Sequence, residues 1–470
     1  GSGTTNTFAQ ASPNVLVLMT DDQRQDTANS TFMPQLTSRI HGQGITFTRA
    51  YMSTALCQPS RAAFFTGRYA RNNTVATNAD PIPPTETPIA NDMQAAGYYT
   101  IHVGKYLNTF RIGDPCPTGY NFFFGNQGAG VPSYFDPTLV DSSCTWNTYP
   151  GYITDTYRDQ AIAALKQVPA GTPFYMEWTT NAPHAPAQPD IQDANLYSNL
   201  PPNRPPNFNP ASWPMGGKPG WLTNTAQLTP DQIANDVDTW RLNQLRCLAS
   251  VDRAIGAILD ELTAEGKLDS TLILYWSDNG YLWGSQRLIH KNRVYEEASH
   301  FDAMAIRYPP LVSTTPVVDS THLVQVIDMT ATIYAVTGVP HTGQPLDGQS
   351  LVPLFSGGPG TWRDALLLEG WPGNGQANGY GGASPDAAVH YQAMRCSQCA
   401  AGPSGSSGEF VYVETVPDPA GLGRYGNYVT DTPELYDLGN DPYEMNNLVN
   451  DPNYASVVSV LHNRLINGPF

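Results

Sequence analysis

The sequence predicts an α/β protein: a mostly parallel sheet flanked by helices, followed by a smaller α+β unit at the C-terminal end. Three observations lead there. Short apolar runs stop abruptly at polar residues, as parallel strands buried on both faces do. Helical patterns separate these runs, the alternation that builds a parallel sheet. A composition break at SGGPGTW (Ser356 to Trp362) and a glycine-rich stretch from Gly370 to Gly382 precede strand-like pieces such as EFVYVE and the helix-like YASVVSVLHNRL. The expected division is 12–360 for the first unit and 361–470 for the second.

The first strand is NVLVLMT, Asn14 to Thr20, ending at Asp21-Asp22. A helix follows over SRAAFFTGRYA, with Cys57 at its mouth. The second strand, in YYTIHVGKYLN, ends at Gly104-Lys105, and a helix is expected from Thr154 to Val168. The third strand lies in TPFYMEWTTNAPH and ends at His184. From Ala185 to Gly220 the chain is rich in Pro and Asn without periodicity, too long for an idle connection and readable as an ordered loop over a site or as a surface excursion. A long helix, Asp231 to Glu265, should be capped by Thr229 and opened by Pro230. The fourth strand, in STLILYWSDNG, ends at Asp278-Asn279-Gly280.

In such sheets ligands collect at the carboxyl ends of the strands. Asp21, Asp22, Lys105, His184, Asp278 and Asn279 are therefore predicted to converge, although any one of them alone reads better as a cap or a surface residue. The two Asp/Asn pairs offer oxygen ligands, which suit calcium or magnesium better than zinc. Cys57 should lie at the start of its helix, where the backbone N–H groups and dipole favour an anion, with Arg61 one turn in as a fixed positive fork. Lys105, His184 and Lys291 would complete a site for a small tetrahedral oxyanion beside a cation.

Composition narrows the alternatives. Acidic residues outnumber basic ones by 41 to 24, giving −17, and no basic run occurs, so no nucleic-acid surface is expected. No apolar run approaches the roughly 18–20 residues that span a bilayer. Cys116 with Cys144 and Cys396 with Cys399 are most simply two disulfides, which favours a secreted or periplasmic protein; Cys247 is a buried thiol on an apolar helix face, and Cys57 is left over. The opening GSGTTNTFAQ reads as a short artificial lead before a mature N-terminus, compatible with a removed signal peptide. Asn29 and Asn72 begin Asn-x-Thr sequons, which matter only in a eukaryotic source.

The string CQPSRAAFFTG resembles the C-x-P-S-R-x-x-x-L-T-G signature of type I sulfatases, with Phe65 where Leu is usual. The likeness continues through LMTDDQR, GKYLN, APHAP, SDNGY, HKNRVYEE and ELYDLGNDPYEMNNL, nearly the whole chain, and GKYLN and ALCQPSRA are most similar to the N-acetylglucosamine-6-sulfatase branch. The resemblance implies an alkaline-phosphatase-like domain and a C-terminal domain with a small antiparallel sheet. It implies that a formylglycine-generating enzyme oxidises Cys57 to formylglycine, and that Asp21, Asp22, Asp278 and Asn279 bind Ca2+, or Mg2+, together with residue 57. Arg61 would hold the formylglycine hydrate, Lys105 and Lys291 the sulfate oxygens, and His184, with Lys291, would protonate the leaving alcohol.

One hydroxyl of the hydrate would attack sulfur and the second would expel the sulfate. The implied ligand is a sulfated small molecule or glycan. An aryl sulfatase with a broad alkyl and aryl range, a phosphonate monoester or phosphodiester hydrolase of the same superfamily, and a silent sulfoglycan-binding protein with Cys57 unmodified are the alternatives. Many members carry G-K-x-H; here Leu107 stands at that His, leaving a water, His102 or His290 as replacement bases.

Overall fold

The structure is a computed structural model describing residues 12–128, 133–358, 361–371, 390–415 and 432–470. Asn14–Thr20, every residue of it buried, lies at the middle of a ten-stranded sheet. It pairs in parallel with Thr271–Ser277 on one side and Phe174–Thr179 on the other. Tyr99–Lys105 and then Phe122–Asn126 extend the parallel array. Thus the strands expected from their abrupt polar ends are neighbours, and those ends share one edge, except that the third strand closes at Thr179 and His184 lies in the turn that follows it. Beyond Thr271–Ser277 the sheet turns antiparallel through Met304–Arg307, with Ile45–Phe47 and Val317–Asp319 outside it. Thr138–Val140 and Trp146–Thr148 close the other side. These short outer strands carry no long apolar run, which is why the sequence did not announce them.

Helices cover the sheet. Ile153–Leu165 packs against Trp240–Ala264, and Cys57–Thr66 against Val326–Thr337. The helix expected over SRAAFFTGRYA ends earlier, at Thr66: Gly67 takes φ 67°, and a separate short helix, Ala70–Asn73, follows. A left-handed glycine is the common way to stop a helix. The long helix begins as expected with a capping box at Thr229, but Ile233–Thr239 is π-helical before Trp240–Ala264 becomes regular. The Thr239 hydroxyl donates to the Ala234 carbonyl five residues back (2.8 Å), which fits the wider turn.

Four antiparallel strands, Ala365–Gly370, Tyr391–Ser397, Glu409–Thr415 and Glu434–Asp437, form the second sheet, with Ala455–Asn467 against it. The two faces alternate residue by residue. Ala365, Leu367, Met394 and Phe410 join the main core, together with Val457, Leu461 and Leu465 of the helix. Leu366, Leu368, Ala393 and Val411 instead pack around Tyr51 and Tyr295. The expected boundary at 360/361 meets residues 359–360, and most of the glycine-rich stretch lies in 372–389; both fall outside the described residues. Cys116–Cys144 and Cys396–Cys399 are disulfides, and Cys57 and Cys247 are buried thiols. No helix among the described residues is long and apolar enough to cross a membrane.

Candidate active site

Two neighbouring parallel strands deliver the acidic groups. Asp21 and Asp22 follow Thr20, and Asp278 and Asn279 follow Ser277, its register partner. Asp22 adopts φ 64°, a left-handed turn that a short polar side chain tolerates. The Asp22 N–H donates to Asp278 Oδ1 (3.2 Å) and Asn279 Nδ2 to Asp22 Oδ1 (2.7 Å), so the two pairs are locked together.

Lys105 closes the next strand but one, and its place depends on Gly104. That glycine has φ 119°, and a Cβ on it would stand 1.9 Å from the Thr179 carbonyl oxygen. The Lys105 carbonyl accepts from Thr179 Oγ1 (2.6 Å) and Arg61 Nη1 (2.7 Å), and its ammonium lies on Asp21 Oδ2. Lys291 reaches Asp22 Oδ1 and donates to Cys57 Sγ (2.9 Å). The Cys57 thiol, 1% exposed in the first turn of its helix, donates to Asp21 Oδ1 (3.5 Å). His184 donates from Nδ1 to the Ala185 carbonyl (3.0 Å), an arrangement that turns Nε2 toward Asp22 Oδ2 at 3.7 Å.

These charges are buried together and set each other's protonation. Burial would raise the Asp21 carboxyl, but Lys105, His184, Arg61 and Lys291 hold it well below the usual range. Asp278 goes the other way, pushed up to about 6 by burial and by the Asp21 charge against Arg61 and the lysines. Burial, with Asp21 adding to it, pushes the Cys57 thiol up to about 12 despite both lysines. A thiol held there is protonated at neutral pH and a poor nucleophile. Burial lowers His184, with Asp21 and Asp22 opposing. The ammoniums of Lys105 and Lys291 are lowered by burial but raised further by the carboxylates, so both stay charged.

The structure therefore brings together all nine residues singled out in the sequence, with two differences in detail. Arg61 is turned to the acids: its Nε donates to Asp278 Oδ2 (2.8 Å), and its Nη2 lies 3.7 Å from Asp21 Oδ2. Ligand atoms of Asp21, Asp22, Cys57 and His184 lie within 4.8 Å of one another, so His184 joins the candidate metal-holding group, while Asp278 attaches through Arg61 and the Asp22 N–H. A hard cation fits this set. Two carboxylates converge, and the Asn279 Oδ1 beside them is buried without a hydrogen-bond partner among the described residues.

Of the two imidazoles considered in place of a histidine at 107, His102 is fully buried, bonded through Nδ1 to Glu177 Oε2 (2.7 Å) and stacked on Phe123. It lies 3.5 Å from the Thr179 hydroxyl that holds the Lys105 carbonyl, a supporting position. His290 pairs through Nδ1 with the Tyr281 hydroxyl (2.9 Å). Sequence reasoning missed Gln244. Its Nε2 reaches the Asp22 and Pro183 carbonyls (3.5 and 3.4 Å), and its Oε1 accepts from Trp283 Nε1 (2.6 Å). The signal available was an amide on the apolar face of the long helix.

A family model described as Sulfatase matches residues 13–339, well over half of the chain and every residue of this cluster. The chain belongs to the sulfatase family. That is a family of sulfuric ester hydrolases, and its alkaline-phosphatase-like fold is the one seen here. N-acetylglucosamine-6-sulfatase of Homo sapiens is 31% identical over 385 residues, 76% of this sulfatase-family chain and 67% of the human protein, so the chain spans about two thirds of that relative's length. Two solved structures share the fold: one described as a complex with its substrate D-glucosamine-2-N,6-O-disulfate (TM-score 0.76, 24% identity, 96% of each chain), and the phosphonate monoester hydrolase of Agrobacterium radiobacter (TM-score 0.70, 21% identity, 97% of this chain and 95% of that one).

Proposed function

We propose that this chain hydrolyses sulfate monoesters on a sulfated carbohydrate, with residue 57, converted to formylglycine, as the nucleophile and a calcium or magnesium ion beside it. The observation that carries the reading is the setting of Cys57: a buried side chain in the first turn of its helix, touched by Lys291 and Asp21, with Lys105 on the same carboxylate. The carbohydrate rests on the N-acetylglucosamine-6-sulfatase relative and on the glucosamine disulfate in the structural neighbour. An exported location fits the two disulfides.

Asp21, Asp22 and Asn279, with Asp278 behind them, would hold the cation, which would supply Lewis-acid chemistry at the site. Formylglycine supplies a carbon bearing two hydroxyls when hydrated. The chain's own residues do the rest. Lys105 and Lys291 meet sulfate oxygens with charges that stay on at neutral pH, fixed before the reaction begins. Arg61 holds Asp278 and the Lys105 carbonyl, and its Nη2 has no hydrogen-bond partner among the described residues, leaving that donor for a hydroxyl on residue 57. His184 carries its proton on Nδ1 when neutral, so Nε2 must be protonated before it can hand a proton to the departing alcohol.

The phosphonate monoester hydrolase neighbour favours a second reading with the same residues. Turnover of a 6-sulfated glucosamine, an aryl sulfate and a phosphate diester, measured side by side, separates the two; diester cleavage exceeding both sulfates would replace the sulfatase reading. The mass of the Cys57 peptide decides a third, a non-catalytic sulfoglycan binder. A peptide at the thiol mass, from a host able to convert the signature, supports binding alone.

A further inference from the structure

Away from Cys57, the chain gathers carboxylates where the loop 204–220, the short helix Glu296–Ser299 and the C-terminal unit meet. Glu297 is 6% exposed and Glu444 1%, and Asn207 is fully buried. Asn207 Nδ2 donates to Glu297 Oε1 (3.0 Å), and the Gln286 N–H to the Asn207 carbonyl (2.7 Å). Gln286 Nε2 donates to the Glu444 carbonyl (3.0 Å), and Glu444 Oε2 accepts from the Glu296 N–H (3.1 Å). These bonds make one connected knot.

Three acceptors inside it have no hydrogen-bond partner among the described residues: Glu297 Oε2, Glu444 Oε1 and Asn207 Oδ1. Lys218 does not cover them. Its ammonium donates to the Glu444 carbonyl (2.6 Å) and to Tyr436, and lies 3.6 Å from Glu434 Oε1. Burial, with the charges of Glu296 and Glu297 added, pushes Glu444 well above the usual carboxylate range despite Lys218. A buried acceptor left unpaired loses its hydration with nothing in return, and the penalty is larger when it is charged. Three in one knot, two of them on carboxylates, call for a ligand that accepts electron pairs, and an all-oxygen donor set selects a hard cation.

We propose that Glu297, Glu444 and Asn207 hold a second divalent cation of the calcium class, in the seam between the two units and separate from the Cys57 cluster. It ties the loop, through Asn207, to the larger unit, through Glu297, and to the C-terminal unit, through Glu444. It also steadies the segment after Asn279, because the Tyr281 N–H donates to the Glu297 carbonyl and the Gly280 N–H to the Ala298 carbonyl (both 2.9 Å).

The full chain, stripped with chelator and re-equilibrated with calcium, is assayed for bound metal by elemental analysis and calorimetric titration, beside Glu444→Gln and Glu297→Gln. Each variant should bind one calcium fewer than the parent, whatever the Cys57 cluster binds. An unchanged count in both overturns the site and leaves a proton shared between the two carboxyls. Should either variant fail to fold, the Asp21→Asn, Asp278→Asn chain gives the second reading: calcium should still raise its melting temperature, by on the order of 2 °C. A calcium-independent melting temperature there overturns the proposal.

Discussion

Cys57 is the residue where sequence, structure and chemistry meet most closely. A thiol pushed up to about 12 beside Lys291 and Asp21 makes a poor nucleophile, so the proposed chemistry needs the two hydroxyls that oxidation and hydration provide. Serine provides one. In Cys57→Ser that hydroxyl can attack and take the sulfate, but no second hydroxyl on the same carbon exists to expel it. The expected result is at most one slow turnover and a sulfated residue 57 seen by mass spectrometry; sustained turnover at the parental rate would place the nucleophile elsewhere. Asp278 permits a complementary test. Asp278→Ala removes the carboxylate that receives Arg61 Nε and the Asp22 N–H, so it disorders both the cation ligands and the arginine fork. Activity should fall by at least ~100-fold, the size typical of losing one electrostatic partner in such a site, and calcium should not restore it. Chelation of the parent, by contrast, should be reversed by calcium or magnesium, and full activity in the variant would remove Asp278 from the site.

At the scale of elements, strand ends set the site, and Gly104 shows how tightly. A methyl group there would overlap the Thr179 carbonyl, and at φ 119° it would be strained even in open space. Gly104→Ala should therefore displace Lys105 and the carbonyl it shares between Thr179 and Arg61. The prediction is a loss of kcat/KM of at least ~10-fold, about 1.4 kcal/mol, with a lowered denaturation midpoint; parental kinetics would show that Lys105 is held by other means. The same elements explain what was legible beforehand. Four of the parallel strands were readable because burial on both faces leaves unbroken apolar runs, and their polar ends stand out against those runs; Phe122–Asn126, shorter and closed by Gly125-Asn126, was not. The π-helical turn at Ile233–Thr239 was not, since its side-chain pattern matches that of an ordinary helix. Nor were Gln244 and Thr179, which act on backbone carbonyls of the site and carry no motif. Arg61 was placed at the right point of its helix, yet its direction toward Asp278 depends on a strand 217 residues away in sequence.

Across the whole molecule, the two sheets share one interior. The C-terminal sheet sends Ala365, Leu367, Met394 and Phe410 into the main core, and its other face packs on Tyr51 and Tyr295, which flank Cys57 and Lys291 in sequence. The join is polar as well. Arg363, 4% exposed at its side chain, forks onto Asp328 with bonds of 2.9 and 2.7 Å, and that aspartate caps the helix Val326–Thr337. Removing the C-terminal unit would expose these apolar contacts, at about 1.5–3 kcal/mol for each large side chain uncovered, and would leave Asp328 buried without its arginine, a loss that typically costs about 3–5 kcal/mol. Against a net stability of about 5–15 kcal/mol for a folded protein, a few such losses are decisive. We therefore expect that a chain ending at Gly358 does not fold cooperatively on its own, although the family match closes at residue 339. The full chain should unfold by calorimetry in one transition, and Asp328→Ala should lower that transition without splitting it. Two resolved transitions, or a soluble, cooperatively melting fragment 12–358, would show that the units are thermodynamically separate and that the shared core contributes little to holding Cys57 and Lys291 in register.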